Sequence, residues 1–260
     1  MKLEVLPKPA QTKFQFASDR ALSRKMTKVP MYADLLNRFC TSLVVGKQGS
    51  GKTSFVLNLL TDKHGYKGRF DKIFVFLPGT SLSNVQGSPY EKLDKEQIFD
   101  ELDFESLSLV YEDVKERAEA NRDVQRKQRS LIIFDDVSSE FKNKSIQQLF
   151  KRIVKNQRHL YVSSIFIMQS YFDMPKQLRQ LCNNLFLFKM SKAVMHSIFE
   201  ELIELPKSRY DELIKFAYDD PHAFLAINMN NGNIYKGFDR VRFEEDEDGG
   251  EAGAGENISV

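Results

Sequence analysis

Residues 46–53 read GKQGSGKT. They fit the phosphate-binding pattern G-x-x-x-x-G-K-[ST] with no gap and no exception. An apolar run precedes them (Leu43, Val44, Val45) and an amphipathic run follows (Phe55, Val56, Leu59, Leu60). That is the strand, glycine loop and helix order the pattern requires. Gly46, Gly49 and Gly51 let the backbone close around a phosphate chain, because no Cβ blocks the approach. Amide groups then converge at a helix N-terminus, where the dipole favours negative charge. Lys52 is spaced to reach the β- and γ-phosphates and Thr53 to ligate Mg²⁺, with Ser50 and Ser54 beside them. The expected ligands are ATP and Mg²⁺. The bland alternative is a glycine turn between two elements.

Residues 131–136 read LIIFDD, four apolar positions running into two aspartates. This is the form of a Walker B strand, which would carry Asp135 to the carboxyl edge of a parallel sheet, near Thr53 and the metal. Asp136 then polarises the attacking water, or else it caps the helix that follows. Residues 164–169, SIFIMQ, make a further buried strand ending in Gln169. Gln169 would contact the γ-phosphate or the water; the alternative is a plain strand-end amide. Arg158 lies just ahead of that strand, where it could enter a neighbouring subunit's site and stabilise transition-state charge. The catalytic candidates are thus Lys52, Asp136, Gln169 and Arg158, and the metal candidates Thr53 and Asp135.

Core strands are expected over 39–45, 72–77, 131–136, 164–168 and 184–188, with a short additional strand at 107–111. The continuous apolar run KIFVFL at 72–77 suits a parallel strand buried on both faces. Helices are expected over 52–63, 145–155, 192–205 and 207–218. A terminal hairpin is expected from 223–229 and 233–238, around Asn230-Asn231-Gly232. Residues 114–129 hold six bases and three acids with few apolar positions, which reads as a helix projecting into solvent or meeting a partner. Lys142 to Arg158 holds six bases and no acid, a nucleic-acid surface or a merely solvated face. Three segments follow: an N-terminal arm 1–38, an ATPase domain 39–243 and a tail 244–260. In the arm, Phe14 and Phe16 suggest a short edge strand, packed on the domain or part of a solvated lead-in.

The formal net charge of +2 hides an asymmetry. From Glu244 onward there are seven acids and no base, which leaves 38 basic and 29 acidic residues, net +9, in 1–243. A basic body suits a polyanionic partner. The acidic, glycine-bearing tail is expected to be disordered. No apolar run approaches the roughly 18 residues of a membrane span, and the N-terminus has no signal-peptide core, so secretion is not expected. Cys40 and Cys182 lack CxxC spacing and read as buried free thiols. The four histidines form no metal-ligand pattern.

GKQGSGKT, LIIFDD, the Arg158-His159 pair and SIFIMQ come in the order seen in the FtsK-HerA group of P-loop ATPases. Over about residues 39–238 the chain most resembles the poxvirus-type genome-packaging ATPases of large DNA viruses, virophages and related elements. The resemblance implies an α/β, RecA-like fold with an additional strand, a parallel sheet of order 5-1-4-3-2 flanked by helices. It implies a homo-oligomeric ring, pentamer or hexamer, that translocates double-stranded DNA and packages a viral genome. Capsid or portal proteins would be partners, and the host cytoplasm, viral factory or virion the location. It assigns Gln169 as sensor and Arg158 as arginine finger. At Asp136 the wider group often has Glu. Two rival functions share the same loop: a small-molecule or nucleotide phosphotransferase, and a nucleotide-binding scaffold without turnover. The chain has no compact Arg-rich lid for the first, and intact Lys52, Thr53 and Asp135 speak against the second.

Overall fold

The computed structural model describes residues 3–5, 35–36, 39–78, 88–203 and 205–243. The edge strand expected at Phe14 and Phe16, and the acidic tail, lie outside the described residues. Among the described residues ten strands form one sheet: β1 (Leu3–Val5), β2 (Thr41–Val45), β3 (Lys72–Phe76), β4 (Ile98–Phe99), β5 (Ser130–Asp135), β6 (Val162–Met168), β7 (Asn184–Phe188), β8 (Phe224–Asn228), β9 (Ile234–Lys236) and β10 (Asp239–Phe243). Their order is β1-β10-β9-β8-β7-β2-β6-β5-β3-β4. Within it, β7-β2-β6-β5-β3 is the expected 5-1-4-3-2 arrangement, and its strands pair in parallel. The sheet is wider than expected on both sides. β4 adds a parallel edge beside β3. The terminal hairpin is the start of an antiparallel meander, β8-β9-β10, with β1 paired to its outer strand.

The central strands are buried on both faces, which is why they read as continuous apolar runs rather than alternating ones. Their register is tied by a stack of phenylalanines. Phe99, Phe76, Phe134 and Phe166 occupy opposed positions on β4, β3, β5 and β6. Their rings stack at centroid separations of 4.8, 5.2 and 4.5 Å. Pairs of this kind contribute about 0.5–1.5 kcal/mol each beyond their buried area.

Helices cover both faces. α1 (Lys52–Thr61) packs Val56, Leu57 and Leu59 against Val44, Val75, Ile133, Ile167 and Phe188. The other face carries α2 (Phe104–Ala120), α3 (Lys144–Lys155), α4 (Lys176–Arg179), α5 (Lys192–Leu202) and α6 (Tyr210–Ala217). In α3 the buried set is Ile146, Leu149, Phe150, Ile153 and Val154, the stripe read from its helical spacing. Cys40 and Cys182 are buried free thiols.

Two expectations fail in one place. Residues 107–111 are not a strand; they lie inside α2. Asp103 accepts a hydrogen bond from the Ser106 amide at 2.7 Å, and the Ser106 hydroxyl accepts from the Asp103 amide at 3.2 Å. This cap starts a helix at Phe104, three residues ahead of the segment that reads as strand. Leu107, Val110 and Val114 then face the core, a spacing of three and four. The polar helix expected over 114–129 ends at Ala120 instead. Asn121, buried, donates to the Gln128 carbonyl and accepts from the Gln128 amide. That turn folds 121–129 back toward β3, where Arg126 pairs with Asp71 and the Arg129 amide donates to the same carboxylate.

The helical assignment is testable against the strand. Leu107→Ala should lose about 3 kcal/mol of stability in urea denaturation, the cost of a buried leucine. Leu109→Ala should stay within about 0.5 kcal/mol, because Leu109 is 63% exposed. A strand would give the two positions similar costs.

Candidate active site

The loop after β2 is held to its neighbour strand: the Gly46 amide donates to the Met168 carbonyl at 3.2 Å. A Cβ at Gly46 would lie 2.6 Å from the Phe188 Cβ and 2.7 Å from the Ser50 hydroxyl oxygen. Only glycine fits there. Gly51, φ +96°, sits in the left-handed region and turns the chain into α1. The Phe55 amide donates to the Gly51 carbonyl at 2.8 Å as the helix begins. The Ser50 hydroxyl oxygen is buried with no hydrogen-bond partner among the described residues. Ser54 is exposed on the first turn of α1.

Lys52 heads α1 and is buried, its Nζ donating to the Lys47 carbonyl at 2.8 Å across the loop. Burial lowers its pKa, and the charges of Asp135 and Asp136 oppose that shift. The Thr53 hydroxyl donates to Asp135 Oδ2 at 3.4 Å. Asp135, 7% exposed, ends β5 on the face that α1 covers. Burial and then the charge of Asp136 push its carboxyl up to about 6, against the Thr53 hydrogen bond and Lys52.

Asp136 leaves the strand with φ +57°. Its amide donates to the Ile167 carbonyl at 3.0 Å, and its exposed side chain accepts from Gln169 Nε2 at 3.0 and 2.9 Å. Left-handed backbone is several-fold more accessible to Asp than to most residues. The conformation gives a physical reason for the shorter acid at this position. Gln169 follows β6 directly, so the end of that strand and the end of β5 are bridged by one amide.

Gly46 to Ser54, Asp135, Asp136 and Gln169 therefore stand at one edge of the sheet. Arg158 does not join them. It is exposed in the turn before β6, at the amino end of that strand. The seven residues of β6 separate it from Gln169, roughly 20 Å of strand. Within one chain it cannot touch the loop.

Two residues that the sequence left unmarked also border the site. Tyr90, in the segment between β3 and β4, is buried with its hydroxyl unpartnered among the described residues. Burial first, then the nearby charge of Asp135, holds that phenol far above its ordinary pKa. His222 Nδ1 stands 3.2 Å from the Ser50 carbonyl. A lone tyrosine and a lone histidine far along the chain carry no motif, so nothing in the linear text marks them.

The donor set fits a magnesium nucleotide. Among the described residues no cluster of three His, Cys, Asp or Glu side chains is present. Mg²⁺ does not need one, since it binds through one or two carboxylates, a hydroxyl, water and substrate phosphates. Thr53 and Asp135 are one hydroxyl and one carboxylate in contact. The Ser50 hydroxyl, buried and unpartnered among the described residues, has hydrogen-bond capacity left for a phosphate. Among the described residues no helix is long and apolar enough to cross a membrane.

A glycine loop between a buried strand and a helix, in a mostly parallel sheet with helices on both faces, defines a P-loop NTPase. The chain belongs to the poxvirus A32 protein family, whose pattern it matches over residues 29–215, and it is an ATPase. No individually curated protein matches it. Solved structures share the fold at low identity. The DNA-packaging ATPase B204 of Sulfolobus turreted icosahedral virus is 16% identical, with TM-score 0.52, covering 76% of this chain and 96% of that one. The genome-packaging NTPase B204 of Sulfolobus turreted icosahedral virus 2, in complex with AMPPCP, is 13% identical with TM-score 0.53, covering 80% and 98%. ATPases 2 and 3 of EssC from Geobacillus thermodenitrificans are 14% identical with TM-score 0.52, covering 78% of this chain and 38% of that one.

The raised pKa of Asp135 has a sign that can be measured. The folded chain keeps this proton through a pH range where the unfolded chain has released it. The group's contribution to stability is full below about pH 4 and is lost as pH rises through about 6. Without nucleotide or metal, Asp135→Asn should therefore melt a few degrees above the parent near pH 8, about 2 kcal/mol of relief. The gap should close toward pH 4 in calorimetric scans.

Proposed function

We propose that this protein hydrolyses ATP with Mg²⁺ and uses the cycle to translocate double-stranded DNA, packaging a viral genome. The observation that carries the reading is the convergence at one sheet edge of a buried lysine, a threonine–aspartate pair and an aspartate–glutamine pair. In this reading the loop amides and Lys52 bind the β- and γ-phosphates. Lys52 exchanges its bond to the Lys47 carbonyl for one to phosphate oxygen, and keeps its proton. Thr53 and Asp135 hold Mg²⁺, which would neutralise charge on the phosphate oxygens.

Asp136 accepts a hydrogen bond from the attacking water and orients it. As the water oxygen bonds to the γ-phosphorus, the bond to the β–γ bridging oxygen breaks, a proton of the water passes to a γ-phosphate oxygen, and ADP and inorganic phosphate leave. Gln169, which grips both oxygens of Asp136, ties the position of that carboxylate to the end of β6. Loss of the γ-phosphate would then be felt along β6. Arg158 sits at the opposite edge of the sheet, so its role requires a neighbouring copy, as in a pentameric or hexameric ring. Lys142, Lys144, Lys155 and Arg158 are exposed and offer phosphate contacts to DNA. Lys151 and Arg152 are engaged at Gln177 and over Tyr111. The solved structures named as a DNA-packaging ATPase and a genome-packaging NTPase, the latter bound to AMPPCP, support the assignment. The viral factory, host cytoplasm or virion is the location this function suits, with capsid or portal proteins as partners.

Turnover should rise when long duplex DNA is added, and the rise should fade as salt is raised. Asp136→Asn should retain ATP while turnover falls by about 100-fold or more. Lys52→Ala should lose both. Mixing inactive Arg158→Ala with inactive Lys52→Ala should restore part of the activity at intermediate ratios. No recovery at any ratio would remove Arg158 from a neighbour's site. ATP hydrolysis that duplex DNA never alters would remove the translocation reading.

A further inference from the structure

Among the described residues three charged side chains are buried: Lys52, Asp135 and Arg179. The first two belong to the site. Arg179 ends α4, ten residues after Gln169, and has no part in the mechanism above. A buried guanidinium is costly unless its donors are paired, and a well-packed apolar pair is often at least as stable. Stability alone is therefore a weak reason for an arginine in this place.

The contacts of Arg179 converge on the segment 170–174, which leaves β6 directly after Gln169. Nη1 donates to the Met174 carbonyl at 2.6 Å. Nη2 donates to both carboxylate oxygens of Glu201 on α5, at 3.2 and 2.9 Å, and Nε donates to Oε1 at 3.3 Å. The guanidinium carbon lies 4.5 Å from the Tyr171 ring centre and 5.3 Å from that of Phe172. Tyr171 is fully buried, and its hydroxyl donates to the same Glu201 oxygen at 3.2 Å. One guanidinium thus meets Tyr171, Phe172 and Met174, and one carboxylate ties the group to α5. A planar fork can serve a carboxylate and a carbonyl at once in this way.

Gln169 sits between two anchors. The parallel ladder ends at Met168, which pairs with Val45. Beyond Gln169 only Ser170 intervenes before the buried ring of Tyr171. The Gln169 side chain itself is exposed, and it meets Asp136 at 3.0 and 2.9 Å. Its aim therefore depends on backbone held from both sides.

We propose that Arg179 and Glu201 are positioning residues for Gln169: paired with each other, they clamp the 170–174 segment to α5 and so hold the Gln169 amide on the carboxylate of Asp136. Neither touches the reacting atoms. The consequence for hydrolysis rests on the roles of Asp136 and Gln169 proposed above; the contact itself does not.

The first measurement needs no turnover. In the nucleotide-free chain labelled with 15N-glutamine, the Gln169 side-chain amide signal is the one lost in Gln169→Ala. Asp136→Ala shows where that signal lies without its acceptor. Arg179→Met should move the signal to the Asp136→Ala position. If Arg179→Met does not fold, Arg179→Met/Glu201→Met, which leaves no unpaired charge buried, should do the same. A signal that stays at the parent position in a folded variant overturns the proposal. The second measurement is a double-mutant cycle on ATP turnover. Arg179→Met should lower kcat by about tenfold with KM for Mg·ATP changed by less than about twofold. In a Gln169→Ala background it should cost nothing further. Costs that multiply overturn the proposal. Full turnover in Gln169→Ala removes Gln169 from the chemistry proposed above, and the amide signal then decides the clamp.

Discussion

The chemistry at the sheet edge depends on register. A slip of one residue between β5 and β6 would turn Phe134 to the other face and move Asp135 away from Thr53. The stacked rings of Phe99, Phe76, Phe134 and Phe166 oppose such a slip across four strands, since the slip would break the stack. Asp135 is the residue after Phe134, and Gln169 follows one residue beyond Met168, which pairs with Val45. The apolar stack thus sets where the polar groups emerge. On the opposite face, α1 packs over Ile133 and Ile167 and brings Thr53 down to the aspartate.

The site so formed is electrostatically unfinished. Two adjacent carboxylates, one of them buried, share one buried lysine. The carboxyl of Asp135 is pushed up and the ammonium of Lys52 down, both by burial in the first place. Neither shift suits a group whose purpose is to stabilise the fold, and perturbed titrations of this kind gather at functional sites. A phosphate chain with a divalent cation, as proposed above, would supply the missing charges of both signs. The Lys47 carbonyl and the Gln169 amide occupy Lys52 and Asp136 with neutral partners.

Most of the core could be read from the chain because its strands are buried on both faces and so leave uninterrupted apolar runs. β3, β5, β6 and β7 each fall within a residue or two of the expected bounds. The region after β3 could not be read in this way. Leu107, Val110 and Val114 are spaced for a helix, but Leu109 and Tyr111 fill the gaps with apolar side chains, and the local text mimics a strand. The cap at Asp103 and Ser106 decides it, through a backbone geometry that is formed only when the helix forms. The outer meander was half visible: the turn at 230–232 marks a hairpin, whereas β10 gains its pairing partner only from β9 and β1.

What the chain determines by itself is the local chemistry: a glycine loop that only small residues can form, a lysine and threonine at its end, and acids at the ends of apolar runs. These follow from backbone sterics and from short spacings, and they need no distant partner. Only the tertiary structure decides which of them meet. Pairing of β5 and β6 joins Asp136 to Gln169, while the same pairing sends Arg158 to the far edge, because a parallel strand separates its two ends by its full length. Tyr90 reaches the neighbourhood of Asp135, and His222 the loop, from remote stretches of chain for the same reason: proximity across a sheet is set by strand order, which no single segment encodes.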